Sequence, residues 1–189
     1  MVLTITAYDR HVQQLFDVIS RLARAFAQAG IEYRVVGGVA VFLHIHEHDP
    51  LAARLTRDVD IAVARRDLDA IIAAVKPLGF EYRHAAGVDM LIDTREPRAR
   101  SAVHLLFVRE KVRPEYLEPM PDFSTPVRTT EGVPLAPVAD LVRMKLTSFR
   151  LRDRVHLKDM DATGLITPQV EAGLPESLRE RLRTVRVEE

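Results

Sequence analysis

The chain contains no cysteine among its 189 residues. This absence excludes disulfides, thiolate zinc sites and cysteine nucleophiles, so its chemistry must use oxygen and nitrogen groups. No apolar run approaches the roughly 20 residues that a membrane-spanning helix needs, and we expect no membrane partner. The N-terminus has no basic segment followed by an apolar one, so a cytoplasmic location is expected rather than secretion.

Net charge is also absent, because 27 basic residues balance 27 acidic ones. This balance argues against a protein that coats nucleic acid non-specifically, although it permits local basic patches. The 47% share of hydrophobic residues is typical of a globular chain rather than a disordered one. The length fits one domain, with or without a small appendage.

Hydrophobic spacing predicts helices near both ends of the chain and strands between them. The stretch 12–27 repeats apolar residues at helical intervals and precedes Gly30, which suits a left-handed helix cap. Further helices are predicted at 39–46, at 68–75 behind an Asp67 cap, at 138–149 behind Pro137 as the first helical residue, at 155–163 and at 175–185. Strands are predicted at 33–36, 58–63, 80–83, 90–93 and 102–108.

This order of elements predicts an α+β fold, in which a small mixed β-sheet is covered by helices. Residues 46–57 are interpreted as a short helix or loop, and the proline-rich stretch 113–137 as mostly extended or turning. We expect residues 1–136 to form the core and residues 137–189 to form a C-terminal helical segment packed on it.

The most informative pattern is the pair Gly37-Gly38, followed by Asp58 and Asp60. A glycine pair between a strand and a helix lets backbone N–H groups approach an anion at the helix N-terminus. Aspartates two positions apart on a strand share one face, with Cα atoms about 6.6 Å apart at ~3.3 Å per residue. Carboxylates at that separation can bind one Mg²⁺, which prefers hard oxygen ligands. Together these features suit the transfer of a nucleotidyl group. Each feature alone has a simpler interpretation: the glycine pair as a tight turn, and the aspartate pair as two carboxylates held by hydrogen-bond donors.

The Gly-Gly pair, followed by the pattern Arg-x-Thr-x-Asp-x-Asp over residues 54–60, resembles the nucleotidyltransferase superfamily typified by DNA polymerase beta. It is most similar to the small prokaryotic branch of minimal nucleotidyltransferases and abortive-infection toxin nucleotidyltransferases. Lys145 and the later step Lys158-Asp159 are also similar to that branch. The resemblance covers residues 33–161.

The resemblance implies a nucleoside triphosphate substrate and Mg²⁺ or Mn²⁺ as cofactor. It also implies three sets of site residues, with Gly37 and Gly38 at the triphosphate, Asp58 and Asp60 at the metal, and Lys145 at phosphate oxygens. Thr56, which precedes the aspartates, is either a hydroxyl donor to the site or simply a β-forming residue.

Active members of this superfamily usually carry a third carboxylate on a later strand. The matching predicted strand, 102–108, has His104 at the inward position and no acidic residue. Two residues are candidates for the missing base: Asp93, at the end of the preceding predicted strand, and His104 itself, because imidazole titrates near neutral pH. The other interpretation is that the third ligand is lost and turnover is weak or absent.

A histidine run, His44, His46 and His48, raises the possibility of a metal site. On a helix, His44 and His48 would share a face, as some zinc sites require. The preferred interpretation is a solvated loop, because no third ligand at a typical spacing is evident. The segment 143–158 is basic and suits either phosphate contact or an ordinary solvated helix.

The sequence therefore predicts an enzyme that moves NMP from a nucleoside triphosphate to a hydroxyl, with release of pyrophosphate. The acceptor is a protein side chain or an RNA end by preference, with a small molecule such as an aminoglycoside left open. The alternative from another class is a catalytically degenerate module that binds a nucleotide or a partner protein, as in a toxin–antitoxin pair. A metal-dependent hydrolase built on the histidine run is a third hypothesis. A neutral surface also permits a homodimer.

Overall fold

The computed structural model describes residues 5–54, 58–95 and 102–188. In these residues the helices are α1 (Ile5–Gln28), α2 (Gly37–His48), α3 (Leu68–Val75), α4 (Val138–Ser148), α5 (Leu151–Ala162), α6 (Pro168–Ala172) and α7 (Glu176–Val187). The strands are β1 (Tyr33–Val36), β2 (Val59–Val63), β3 (Phe80–Ala85), β4 (Val88–Asp93), β5 (Val103–Phe107), β6 (Val127–Arg128) and β7 (Pro134–Leu135). Short 3-10 turns, Arg65–Asp67 and Lys76–Leu78, flank α3.

The strands form one mixed sheet in the order β3-β4-β5-β2-β1-β7-β6. The pairs β2–β5 and β1–β7 are parallel, and the remaining neighbours are antiparallel. The helices form two groups. In the first group, α1 contacts α3. In the second group, α2, α4 and α5 contact one another, and α7 packs on α4 and α5. The predicted α+β class with a mixed sheet is confirmed.

The first helix follows the amphipathic pattern of its sequence. Its apolar face buries Ile19, Leu22 and Phe26 almost completely, which removes large hydrophobic side chains from water. Gly30, with φ +65°, ends the helical stretch in the left-handed conformation, and the N–H of Ile31 returns to the carbonyl of Phe26 at 2.9 Å. The cap predicted at Gly30 is therefore confirmed.

Several boundaries differ from the sequence-based prediction. Asp67 stands at the N-cap of α3 without a side-chain capping bond, since a 3-10 turn leads directly into the helix. Pro137 is the N-cap of α4 rather than its first helical residue. The strands β6 and β7 and the helix α6 were not predicted, because elements of two to five residues are too short to show a hydrophobic period.

Within the residues that the structure describes, no helix has both the length and the apolar character that crossing a membrane requires.

Candidate active site

The turn from β1 into α2 places Gly37 directly against β2. Gly37 has φ +68°, a conformation that glycine adopts at little cost. A Cβ added to Gly37 would lie 1.9 Å from Asp60 Oδ2, so only glycine fits here. Val36, the N-cap of α2, supplies no side-chain bond to the helix. Among the described residues no N-cap side chain binds the first N–H groups of α2, and phosphate binding at this helix end stays a prediction.

Asp60 is held next to His104 by the register of the sheet. The parallel strands β2 and β5 set these two residues opposite each other, and His104 Nδ1 lies 2.9 Å from Asp60 Oδ1. An ionised carboxylate only accepts, so Nδ1–H donates and Nε2 of the neutral ring is left as an acceptor. The hydrogen bond to Asp60 raises the pKa of His104, against the opposing effect of burial.

Asp58 lies one residue before β2, and its side chain is about one-third exposed. Arg152 Nη1 on α5 stands 3.6 Å from Asp58 Oδ2. A second ion pair, Arg54 Nε to Asp159 Oδ2 at 2.9 Å, also joins the segment before β2 to α5. The predicted Lys-Asp step is thus adjacent to the segment that carries the aspartate motif.

The donor set at this place fits a hard divalent cation. Asp60 lies in β2 and Asp58 directly precedes this strand, and side chains two positions apart share one face of an extended segment. In residues 5–54, 58–95 and 102–188 there is no group of three or more histidines and carboxylates arranged to hold a metal by themselves. Mg²⁺ is usually bound by one or two carboxylates together with water and substrate phosphates, so two carboxylates suffice.

A cavity of about 500 Å³ opens beside these residues. Its walls come from distant parts of the chain and include Gly37, Asp60, His104, Tyr116, Lys145 and Arg150. A concave pocket with a few convergent polar groups is the usual form of a small-molecule site. The tertiary fold therefore brings the predicted glycine turn, an aspartate, the histidine and the lysine to one cavity.

Lys145 reaches this cavity with its charge already paired. Its side chain is almost fully buried, and Nζ lies 2.9 Å from Asp153 Oδ1. Burial alone would raise the pKa of Asp153, but the hydrogen bond from Arg150 and the nearby Lys145 ammonium lower it well below its usual range. Contact between Lys145 and phosphate, as the resemblance implies, stays a prediction.

The structure does not bring Asp93 to the cavity. Met90 pairs with His104 across β4 and β5, and side chains alternate along a strand, so Asp93 points to the opposite face of the sheet. There Asp93 accepts from Arg21 Nη1 and Arg95 Nη2, each at 2.8 Å. The hydrogen bond from Arg95 lowers the pKa of Asp93, burial opposes it, and Arg21 lowers it further. Thr56 lies outside the described residues.

The histidine run belongs to α2 rather than to a solvated loop. His44 is buried, and its Nε2 lies 2.9 Å from the carbonyl oxygen of Ala136. His46 is exposed and stacks on Phe42, and His48 is exposed at the end of the helix. The loop interpretation was wrong because the polar residues 46–48 continue the last turn of an otherwise apolar helix.

Two residues of the basic segment 143–158 received no individual role from the sequence. Arg150 lines the cavity, and Asp153 binds both Arg150 and Lys145. Asp153 is the only acidic residue in the basic segment 143–158. A single carboxylate among many cations is the signal in the sequence that could have indicated a buried ion-pair centre.

Comparison with solved structures identifies the fold as that of nucleotidyltransferases. An antigenic nucleotidyltransferase-like protein from Paracoccidioides brasiliensis is 22% identical, with a TM-score of 0.60 over 92% of this chain and 87% of that chain. ANT(2'')-Ia in complex with adenylyl-2''-tobramycin is 15% identical, with a TM-score of 0.57 over 93% and 99%. No family model matches the sequence, and no curated protein matches it. The predicted nucleotidyltransferase fold is confirmed, and the activity has to be argued from the site.

Proposed function

We propose that this protein is a nucleotidyltransferase that transfers NMP from a nucleoside triphosphate to a hydroxyl group. The observation that supports this proposal best is the contact between Gly37 and Asp60. It places the open N-terminus of α2 beside a carboxylate. A helix N-terminus binds phosphate, and a neighbouring carboxylate pair binds the cation that accompanies a triphosphate.

Asp58 and Asp60 are the residues that would hold Mg²⁺ or Mn²⁺. When bound, such an ion neutralises charge on the phosphates and orients the leaving group. The chain's own contribution is that Gly37, at the start of α2, and the Asp60 carboxylate line the same cavity, while Asp58 precedes Asp60 by two residues on the same segment.

In the proposed reaction, the acceptor hydroxyl oxygen attacks the α-phosphorus. A new O–Pα bond forms, the bond from Pα to the β-phosphate oxygen breaks, and pyrophosphate leaves with that electron pair. His104 Nε2 takes the hydroxyl proton, since Nδ1 donates to Asp60 and the ring lines the cavity. In this proposal His104 takes the role that a third carboxylate has in the resembled family.

For the acceptor, a hydroxyl on a protein or at an RNA end remains the preferred class. The solved structure of ANT(2'')-Ia contains an adenylylated aminoglycoside, which makes a small hydroxylated molecule the competing class. Screening both acceptor classes for pyrophosphate release separates them.

One observation favours a second candidate, a catalytically degenerate module that binds nucleotide or a partner protein such as an antitoxin or a second copy. In β5 the position opposite Asp60 is His104, and this histidine already occupies Asp60 Oδ1. Such a module would bind nucleotide without releasing pyrophosphate.

The deciding experiment is calorimetric titration of the four Mg-nucleoside triphosphates into three proteins. These are the wild type, the double variant Asp58→Asn/Asp60→Asn, and the control Asp69→Asn, which removes an exposed carboxylate on α3. We expect binding by the wild type and the control, and none by the double variant. Absence of binding by the wild type contradicts the proposal. Binding without pyrophosphate release in the presence of protein, RNA and aminoglycoside acceptors selects the module.

A further inference from the structure

The turn between α4 and α5 is held firmly at the edge of the cavity. Phe149 ends α4 in the left-handed conformation, with φ 50°. Arg181 Nη1 of α7 donates to the carbonyl oxygens of Leu146 and Thr147, at 2.7 and 2.8 Å. Its guanidinium also stacks over the Phe149 ring, at 4.8 Å from the centroid. These contacts satisfy carbonyl oxygens at the C-terminal end of α4, which have no partner within the helix. They also hold the backbone at Phe149, directly before Arg150.

Asp153 accepts hydrogen bonds from several polar groups of this turn. Its carboxylate is buried and accepts from Lys145 Nζ at 2.9 Å, from Ser148 Oγ at 2.7 Å and from Arg150 Nε at 2.8 Å. The backbone N–H of Arg150 also donates to it, at 3.3 Å. A buried carboxylate with four donors is well satisfied, so the arrangement is rigid.

Two cations share this one carboxylate, so the cluster carries a net charge of +1. Lys145 is buried, but the side chain of Arg150 is 63% exposed and lines the cavity with Gly37 and Asp60. Asp153 binds Arg150 through Nε, with Nη2 more distant at 3.5 Å. Among the described residues no hydrogen-bond partner of Nη1 is found. The excess charge therefore faces the cavity on an arginine whose orientation is fixed.

We propose that Arg150 binds the β- and γ-phosphate oxygens of the nucleoside triphosphate, and that Asp153 is the positioning residue that holds its guanidinium in place. This inference rests on the proposed function and assigns a residue that the family resemblance did not supply. Arginine suits the role because its planar fork can bind a carboxylate along one edge and phosphate along another. Because Lys145 neutralises the charge of Asp153, the positive charge of Arg150 is available to bind phosphate.

The test compares Arg150→Gln with Arg150→Lys and with Arg183→Gln, which removes an exposed arginine on α7 outside the cavity. Calorimetry measures binding of the tightest Mg-nucleoside triphosphate and of the matching nucleoside monophosphate. We expect Arg150→Gln to weaken triphosphate binding by about tenfold or more and to change monophosphate binding by less than about twofold. Arg150→Lys should lie between Arg150→Gln and the wild type, and Arg183→Gln should match the wild type.

The outcomes separate this inference from the proposed function. Unchanged triphosphate binding by Arg150→Gln, or an equal loss for monophosphate, overturns the role of Arg150 and leaves the proposed function standing. Failure of the wild type to bind any triphosphate overturns both.

The positioning role of Asp153 has its own test. Asp153→Asn should lower triphosphate affinity without affecting monophosphate, and adding Arg150→Gln should cause no further loss. An additive loss in the double variant overturns the positioning role. Because Asp153→Asn leaves Lys145 buried without its counter-charge, thermal unfolding is measured first. If the variant unfolds, Asp153→Glu replaces it in the same comparison.

Discussion

The position that a side chain on Gly37 would need is already filled by the carboxylate of Asp60, whose Oδ2 lies 1.9 Å from the ideal Cβ. Gly37 also has a positive φ of 68°. Two independent constraints thus require glycine at the point where β1 enters α2. The same contact ties the N-terminal end of the helix, where we propose that phosphate binds, to the carboxylate on β2.

The first prediction concerns Gly37→Ala. The variant should be destabilised by roughly 3 kcal/mol, because it combines backbone strain with a collision, and it should lose triphosphate binding. The matched control is Gly30→Ala, which has a similar φ of 65° and no atom within 4 Å of the added Cβ. The control should lose only about 1 kcal/mol, from strain alone. Chemical denaturation of both variants measures the difference, and equal losses would contradict the collision.

The second prediction concerns Asp93 as a structural residue of the opposite sheet face. Asp93→Asn should cost about 2 to 3 kcal/mol, because Arg21, whose side chain is only 10% exposed, would lose the carboxylate at 2.8 Å and keep only that of the more distant, exposed Asp17 at 3.8 Å. Pyrophosphate release by the variant, assayed where it is still folded, should equal that of the wild type. In the same assay His104→Ala should lose most of its turnover. If Asp93→Asn lost its turnover and His104→Ala kept it, the role of general base would belong to Asp93.

The third prediction is a loss of stability in mild acid through His156. Burial and the nearby Lys145 ammonium lower the pKa of His156 to about 4, against about 6.5 in an unfolded chain. Between these values the unfolded chain binds a proton that the folded chain does not. Stability is therefore fully present above pH 6.5 and falls as the pH falls towards 4, by about 3 kcal/mol for this group.

The measurement for His156 is a series of urea denaturation curves between pH 7 and pH 4. His156→Gln should lose less stability across this range than the wild type does. His48→Gln, at an exposed position of α2, is the control and should follow the wild-type curve. Parallel curves for wild type and His156→Gln would contradict the assignment.

The fourth prediction concerns the histidine run and zinc. Because His44 Nε2 contacts the carbonyl of Ala136 inside the protein, we expect purified protein to hold far less than one zinc per chain by elemental analysis. Chelator treatment should leave the thermal midpoint unchanged. His44→Ala should cost about 1 to 3 kcal/mol, from the lost buried hydrogen bond and packing. One zinc per chain that disappears in His44→Ala would instead support the hydrolase hypothesis.

Features that depend on neighbouring residues were predictable from sequence. The glycine pair, the alternating strand with its aspartates and the helical spacing before Gly30 each express local steric or hydrophobic rules. These rules gave the α+β class and the place of the candidate site. The same local reasoning left a short helix or a loop open for residues 46–57, and it preferred a solvated loop for the histidine run, whereas exposed polar residues 46–48 continue α2.

Relationships between distant strands and helices were beyond local rules. Asp93 and His104 were equal candidates along the chain, and only the pairing of β4 with β5 places them on opposite faces of the sheet. A one-residue change in register reverses a side chain's face, so sequence spacing across a loop cannot decide it. Likewise, Asp153 appeared as one acid in a basic stretch until the turn between α4 and α5 brought three cationic or hydroxyl donors to it.

Residues 37, 38, 58 and 60 thus predict a phosphate and metal site from the local sequence alone, because backbone freedom and strand alternation act over a few residues. The choice of His104 as Asp60's partner, the removal of Asp93 and the assignment of Arg150 came from tertiary structure. Each depends on strand register or on a buried charge that needs a counter-charge, and both are fixed only when distant segments pack together.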